Sequence, residues 1–130
     1  MTFNYIAQQD LHSVWQQVKV GLHIIRHKTD EKWLPEDVYA SLKAGTSQLF
    51  VFDDGFTVLQ SLRNEWTNEP YLHIWAMFHG KHEDISEDIH ANLRQIAHNI
   101  GAKSITFTSP RRWERRSGAK VKSITYELGV

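Results

Sequence analysis

The turn Asp53-Asp54-Gly55, between two runs rich in β-branched and aromatic residues, constrains the fold more than any other feature of this sequence. An acidic residue followed by glycine is typical of tight turns between antiparallel strands. The flanking runs SQLFVF and FTVLQSL are therefore predicted to form a β-hairpin. A third run, YLHIWAMF after Pro70, carries apolar groups on both faces and is predicted to be a central strand.

Three other segments have apolar residues at helical spacing. Asp10 is expected to cap the first helix, over residues 11–26. Pro35, followed by two acidic residues, predicts the start of a second helix that ends at Gly45. A third helix is predicted to end at Gly101. Its apolar face consists of Ile85, Ile89, Leu93, Ile96 and Ile100.

Two further strands, KSITFTS and KVKSITYEL, are predicted in the last quarter of the chain. Between them lies RRWERRSGA, which is predicted to be a short helix or a basic loop. The order of elements is thus α-α-β-β-β-α-β-(α)-β. This order predicts a single domain over residues 1–130 of the α/β class, with a mixed, mostly antiparallel sheet flanked by helices.

Composition excludes several classes of protein. The chain has no cysteine, so disulfides, thiol nucleophiles and thiolate metal sites are excluded. No apolar run approaches the roughly 18 residues of a membrane span, and the N-terminus lacks a signal-peptide layout, so we expect a cytoplasmic protein. Residues 1–110 carry 9 basic and 13 acidic residues, and residues 111–130 carry 6 and 2. The basic C-terminal part indicates either an anionic ligand or a solvated surface of mixed charge.

The order of elements resembles the GNAT superfamily of acyl-CoA-dependent N-acyltransferases. LPEDVYASLKAGTSQLFVFDDGFTVLQ is similar to the family's second helix and first hairpin, and DISEDIHANLRQIAHNIGAKSITFTS is similar to its long helix and next strand. The resemblance implies acetyl-CoA as the cofactor and an amine as the acceptor. It also implies that the backbone of the central strand pairs with pantetheine, which assigns cofactor contacts to Ile74, Ala76 and Phe78.

The family's pyrophosphate loop, (Q/R)-x-x-G-x-(G/A), corresponds to part of HGKHEDISEDIH. An ungapped match places Lys81 at the basic position, Asp84 at the first glycine and Ser86 at the last. Side chains there obstruct the approach of phosphate to the backbone, and the Asp84 carboxylate repels it. We therefore expect a degenerate loop, in which Lys81 and the distant Arg111 and Arg112 hold the phosphates.

Proton-transfer groups are less well defined by the resemblance. Many GNAT enzymes use a Glu near the central strands as the general base, and the candidates here are Glu65, Glu69 and His73. Each also has a structural interpretation, because the two Glu fit a loop surface and His73 fits a hydrogen-bonded position in the sheet. The family's acidic Tyr corresponds most closely to Trp113, which cannot donate a proton in this way, whereas Tyr126 lies further along the last strand.

Metal and nucleic-acid sites are not expected. His23 and His27 share a helix face, but HIIRH lacks the Glu of the H-E-x-x-H motif. Further histidines surround the pyrophosphate loop at His79, His82 and His90. A basic stretch around Trp113 suits phosphate contact and base stacking, yet the isoelectric point near 7.1 argues against broad nucleic-acid affinity.

Two functional hypotheses follow from the sequence. The chain is either an N-acetyltransferase with a degenerate pyrophosphate loop, or a non-catalytic GNAT-fold protein that binds a protein partner. In the second case it resembles small virion or accessory proteins of bacteriophages. Trp66 and Trp113 lie in connections where an exposed ring would contact a ligand or partner, whereas the other tryptophans with apolar spacing are expected in the core. These are Trp15, Trp33 and Trp75.

Overall fold

Five strands in chain order form the sheet of a computed structural model that describes residues 2–80, 86–109 and 118–129. The elements are β1 (Asn4–Ile6), a 3₁₀ helix (Gln8–Asp10), α1 (Leu11–Thr29), α2 (Pro35–Ala44), β2 (Gln48–Phe52), β3 (Gly55–Arg63), β4 (Pro70–His79), α3 (Ser86–Asn99) and β5 (Ile105–Phe107). Neighbouring strands are antiparallel except β4 and β5, which are parallel. The predicted mixed, mostly antiparallel sheet flanked by helices is confirmed.

The hairpin between β2 and β3 forms as predicted. Phe52 pairs with Gly55, which leaves Asp53 and Asp54 as a two-residue loop. Asp54 has a positive φ of 58°, a conformation that Asp tolerates better than most residues. Gly55 is held close to β4, because a Cβ atom there would overlap the Phe78 carbonyl oxygen and lie 2.6 Å from the Phe52 ring. The backbone at Gly55 therefore packs so close to β4 that no side chain would fit at this position.

Alternating side chains divide the core between the two faces of the sheet. Leu49 and Val58 pack in one cluster with residues of α1 and α2, including the fully buried Leu22. Phe52 and Leu59 point to the opposite face and pack in a second cluster with residues of α3 and β5. The helices α1 and α2 thus cover one face, and α3 covers the other.

A β-bulge lies in the middle of β4, at Trp75. The consecutive β3 residues Val58 and Leu59 pair with Ala76 and Ile74, so Trp75 has no partner in this register. One extra residue reverses which face the following side chains occupy. Ile74 accordingly packs in the α3 cluster, whereas Ala76, two residues later, packs in the α1–α2 cluster.

The predicted last strand, KVKSITYEL, is not observed. Residues 118–129 adopt neither strand nor helix, and all of them except Ala119 are exposed. Alternation stabilises a strand only when one of its faces is buried, and here Val121 and Ile124, which belong to opposite faces, are both exposed. Lys122 does contact the sheet, with its Nζ 5.6 Å from the centre of the Tyr71 ring. The preceding stretch lies outside the described residues up to position 117.

The N-terminal part departs from prediction in three details. The helix α1 continues to Thr29, beyond its predicted end at residue 26. Strand β1 was not expected, because its three residues are too few to show a periodicity. Asp10 precedes α1, but its carboxylate makes no capping hydrogen bond; instead the Ser13 hydroxyl donates to the Asp10 carbonyl oxygen at 2.7 Å. The helix α2 begins at Pro35 and ends before Gly45 as predicted. No helix in the described part of the chain has the length and apolar character needed to cross a bilayer.

Gly55→Ala is expected to lower the free energy of unfolding by about 1–3 kcal/mol, because its methyl group would overlap the backbone of β4. Urea denaturation followed by circular dichroism measures this change. Gly129→Ala serves as the control, since no atom lies within 4 Å of the position its Cβ would occupy. Equal stabilities of the two variants would contradict the close approach of the hairpin and β4.

Candidate functional site

The strands β4 and β5 part after three paired positions. Their pairing runs from Leu72 with Ile105 to Ile74 with Phe107. Beyond Ile74, β4 continues to His79, and no strand among the described residues pairs with that edge. The bulge at Trp75 lies at the point of separation. With respect to the described residues, the edge of β4 over residues 75–79 is therefore open to an extended ligand, as in other cases where a ligand adds to a sheet.

A cavity of about 660 Å³ opens where the strands part. Its volume is within the usual range for sites that bind small molecules. The strands contribute mainly apolar surface, and polar groups come from α3, from the connection between α1 and α2, and from the residues after β5. Its lining consists of Ile25, Thr29, Glu31, Trp33, Ile74, Trp75, Ala76, Met77, Ile89, His90, Leu93, Arg94, Ala97, His98, Ala102, Lys103, Ser104, Ile105, Phe107, Thr108, Ser109, Gly118 and Ala119.

Charges of opposite sign line opposite parts of this cavity. Arg94 lies on α3 and Lys103 follows it, and both are exposed cations. Glu31 lies in the connection between α1 and α2, and it is the only carboxylate among the described residues that line the cavity. Because α3 and the α1–α2 pair cover opposite faces of the sheet, the cavity has a positive part on one side and a negative part on the other.

A buried hydroxyl supports the bulge. Thr57 on β3 is fully buried, and its Oγ1 donates a hydrogen bond to the Ala76 carbonyl oxygen at 3.1 Å. This bond gives a backbone acceptor next to the bulge a side-chain donor. Thr57 thereby helps to fix the local geometry at the point where β4 leaves β5.

Two of the three strand residues predicted to contact the cofactor line the cavity. Ile74 and Ala76 line the cavity. Phe78 lies on the same strand, outside the lining, and packs against the α1–α2 cluster. The predicted phosphate-binding cations and the acidic residue of the loop lie outside the described residues; they are Lys81, Asp84, Arg111 and Arg112.

The structure does not bring the proton-transfer candidates to the cavity. Glu65 and Glu69 are exposed in the connection between β3 and β4, as their structural interpretation expected. His73 is half-buried on β4, with Nδ1 2.8 Å from the Thr106 hydroxyl oxygen on β5. Burial lowers the pKa of His73 below its ordinary value of 6.5. None of the three lines the cavity, and Tyr126, which is 85% exposed, does not line it either.

Two tryptophans expected in the core also line the cavity. Trp33 and Trp75 pack against the α1–α2 cluster, with ring centres 6.2 Å apart and planes at 78°. Trp15 packs in the same cluster, and Trp66 is 87% exposed, as predicted. No pattern in the sequence distinguished Trp33 and Trp75 from Trp15. The position of Trp75 in the cavity depends on the bulge in β4, and the bulge arises from pairing with β3.

The sequence did not predict the polar residues of the cavity as a group, and His90 was considered only as one of the histidines around the pyrophosphate loop. His90, Arg94 and His98 are four residues apart along α3, which places them on one helix face, so their spacing carried a usable signal. Glu31 gave no such signal, because its role depends on how the connection folds. Among the described residues, no three His, Asp or Glu side chains are grouped so that they could hold a metal ion.

The fold is shared with solved acetyltransferases, although no protein-family model and no curated protein matches this chain. A ribosomal-protein-alanine N-acetyltransferase from Brucella melitensis biovar Abortus 2308 aligns over 98% of this chain and 97% of its own, with a TM-score of 0.65 and 13% identity. An aminoglycoside acetyltransferase from an uncultured soil metagenomic sample, in complex with sisomicin, aligns over 99% and 95%, with a TM-score of 0.71 and 12% identity.

Other similar structures include an integron cassette protein from V. cholerae, which aligns over 98% of this chain and 91% of its own with a TM-score of 0.64 and 11% identity. These alignments extend over nearly the whole of each chain. The chain therefore has the GNAT fold, as the order of its elements predicted. Identities this low establish the fold, and function has to be argued from the site.

The lowered pKa of His73 predicts a loss of stability in mild acid. Below its ordinary pKa of 6.5 the unfolded chain takes up a proton on His73 that the folded chain resists, so the free energy of unfolding falls as the pH falls. Above pH 6.5 both states are neutral and the effect vanishes. His73→Gln should flatten this dependence, which urea denaturation at pH 5.5 and 7.5 measures. The control is His12→Gln, at an exposed position of α1; equal slopes for both variants would refute the assignment.

Proposed function

We propose that this chain is an acetyl-CoA-dependent N-acetyltransferase. The proposal rests on the edge of β4 after Ile74, which pairs with no strand in the described part of the chain and opens into a cavity between β4 and β5 in a GNAT fold. A pantetheine arm has amide groups that can pair with this edge as a strand would. Ile74 and Ala76 line the same opening, and Phe78 continues the strand.

Cations on the α3 side support binding of the phosphate groups. Arg94 and Lys103 line the cavity and form no side-chain ion pair with any described residue. They add to Lys81, Arg111 and Arg112, which the sequence proposes for the same task. Together these side chains would compensate for a loop that lacks the glycines through which backbone N–H groups usually hold a pyrophosphate.

The reaction requires few groups from the protein. A cationic acceptor first gives up one proton to a base or to water, and the neutral amine nitrogen then attacks the thioester carbon. The new C–N bond replaces the C–S bond, and the second proton lost by nitrogen balances the one gained by the thiolate. The protein would orient the thioester along β4 and exclude water from the cavity. Glu65, Glu69 and His73 stay the candidates for the proton acceptor. Of these, only His73 directly precedes a residue that lines the cavity, Ile74.

A non-catalytic role is the alternative, in which the GNAT fold binds a protein partner as in phage virion or accessory proteins. The observation that favours it is the C-terminal segment 118–129, where apolar side chains are left exposed. Tyr126 and Leu128 are 85% and 91% exposed, respectively. Exposed apolar side chains in a row are typical of surfaces that a partner covers.

Calorimetric titration with acetyl-CoA is expected to show binding, and a thiol-release assay with an amine should show turnover. Acetyl-pantetheine, which lacks the nucleotide phosphates, should bind more weakly because Arg94 and Lys103 then have no anion to contact. Protection from thermal unfolding provides a second measurement of binding. If neither heat nor protection is seen at millimolar acetyl-CoA, the enzyme is excluded and the partner-binding alternative stands.

Asp84→Gly is expected to tighten acetyl-CoA binding by about fivefold or more. A like charge a few ångströms from a phosphate costs about 1–4 kcal/mol, and about 1.4 kcal/mol corresponds to tenfold in affinity. Asp84→Asn separates charge from shape, because it removes the charge and keeps a side chain. Glu36→Gln, on α2 and outside the cavity lining, controls for the change in net charge. A weaker complex for Asp84→Gly would contradict the interpretation of the loop as degenerate.

A further inference from the structure

The negative part of the cavity is formed by the connection between α1 and α2. Asp30 ends α1 in a left-handed conformation, with φ 55°, and its N–H bonds to the Arg26 carbonyl oxygen at 3.0 Å. At the other end, the Leu34 N–H donates to Asp37 Oδ2 at 2.8 Å. Hydrogen bonds at both ends thus define the path of the short segment that carries Glu31 to the cavity.

The Glu31 carboxylate has no protein partner among the described residues. It is half-buried, and it makes no hydrogen bond or ion pair with any of them. The adjacent Lys32 is paired with Asp30 instead, at 3.3 Å. A half-buried carboxylate without a partner is poorly compensated, so a cation entering the cavity would gain both charge attraction and hydrogen bonds there.

An aromatic wall lies in the same part of the cavity. The rings of Trp33 and Trp75 meet edge to face, and both residues line the opening. Tryptophan faces attract cations and also cover flat apolar groups. One carboxylate and two indoles therefore form a site for a molecule with one positive charge and an apolar body.

We propose that the acceptor is a small amine with a single positive charge and a flat apolar body, selected by Glu31, Trp33 and Trp75. This inference rests on the proposed function and narrows its substrate class. An acceptor with several positive charges is disfavoured, because the other charged side chains lining the described cavity, Arg94 and Lys103, are cations. Among the described lining residues, an amino sugar such as sisomicin, which is bound by the metagenomic aminoglycoside acetyltransferase, would find a carboxylate for only one of its ammonium groups.

Phenethylamine, titrated calorimetrically into the full chain without acetyl-CoA, tests this selection. Glu31→Gln should weaken its binding by about tenfold, the usual worth of a hydrogen bond to a charged group. Glu36→Gln removes the same charge from an exposed position on α2 and should leave the affinity unchanged. Uncharged 2-phenylethanol should bind the wild type and Glu31→Gln equally, because only the charge interaction is lost. Trp33→Leu should weaken both probes.

Three results would overturn the proposal: equal phenethylamine affinity for the wild type and Glu31→Gln, tighter binding of sisomicin than of phenethylamine, or preferred binding of a peptide with an N-terminal alanine. Thermal unfolding of each variant verifies that it is folded, and the conservative Glu31→Gln change should not lower the midpoint. The titration needs no acetyl-CoA, so its failure is distinct from failure of the proposed function. If acetyl-CoA binds and phenethylamine does not, only the acceptor class is wrong.

Discussion

The separation of β4 from β5 is the constraint on which the rest of the site depends. Were β5 to follow β4 to its end, the backbone of residues 75–79 would be paired and the sheet would be closed. Instead the pairing stops at Ile74 and Phe107, and the bulge at Trp75 bends β4 at the same level. The Thr57 hydroxyl on β3 donates a hydrogen bond to the Ala76 carbonyl oxygen beside the bulge, and this bond helps to stabilise the irregular strand.

The gap between the strands joins the two faces of the sheet into one binding space. Elsewhere the sheet separates the α1–α2 cluster from the α3 cluster, and each cluster is apolar. At the gap, a ligand reaches the cations of α3 from one side and Glu31 from the other. This arrangement suits a reaction between a polyanionic donor and a cationic acceptor, because each reactant is attracted to a different side and both meet beside β4.

The sequence predicted an element correctly where the backbone preferences of a few neighbouring residues determine where it begins or ends. The Asp54-Gly55 turn, Pro35 and Gly45 act through their own backbone preferences, and their elements begin and end as expected. The last strand failed because alternation in KVKSITYEL describes a strand only when a partner buries one face. The bulge at Trp75 and the position of Glu31 in the cavity could not be predicted from the sequence either, because both depend on pairing and packing between distant segments. The spacing of His90, Arg94 and His98 could have indicated a polar face on α3.

The short outer strands of the sheet have a consequence for association between molecules. β1 and β5 have three residues each, so neither outer edge offers enough unpaired backbone for another chain to extend. Among the described residues, the longer free edge is internal, along residues 75–79 of β4, beside the cavity. A molecule that occupies the cavity would shield this stretch of backbone from pairing with a strand of another chain. Ligand binding in the cavity would therefore also oppose association of two chains through this edge.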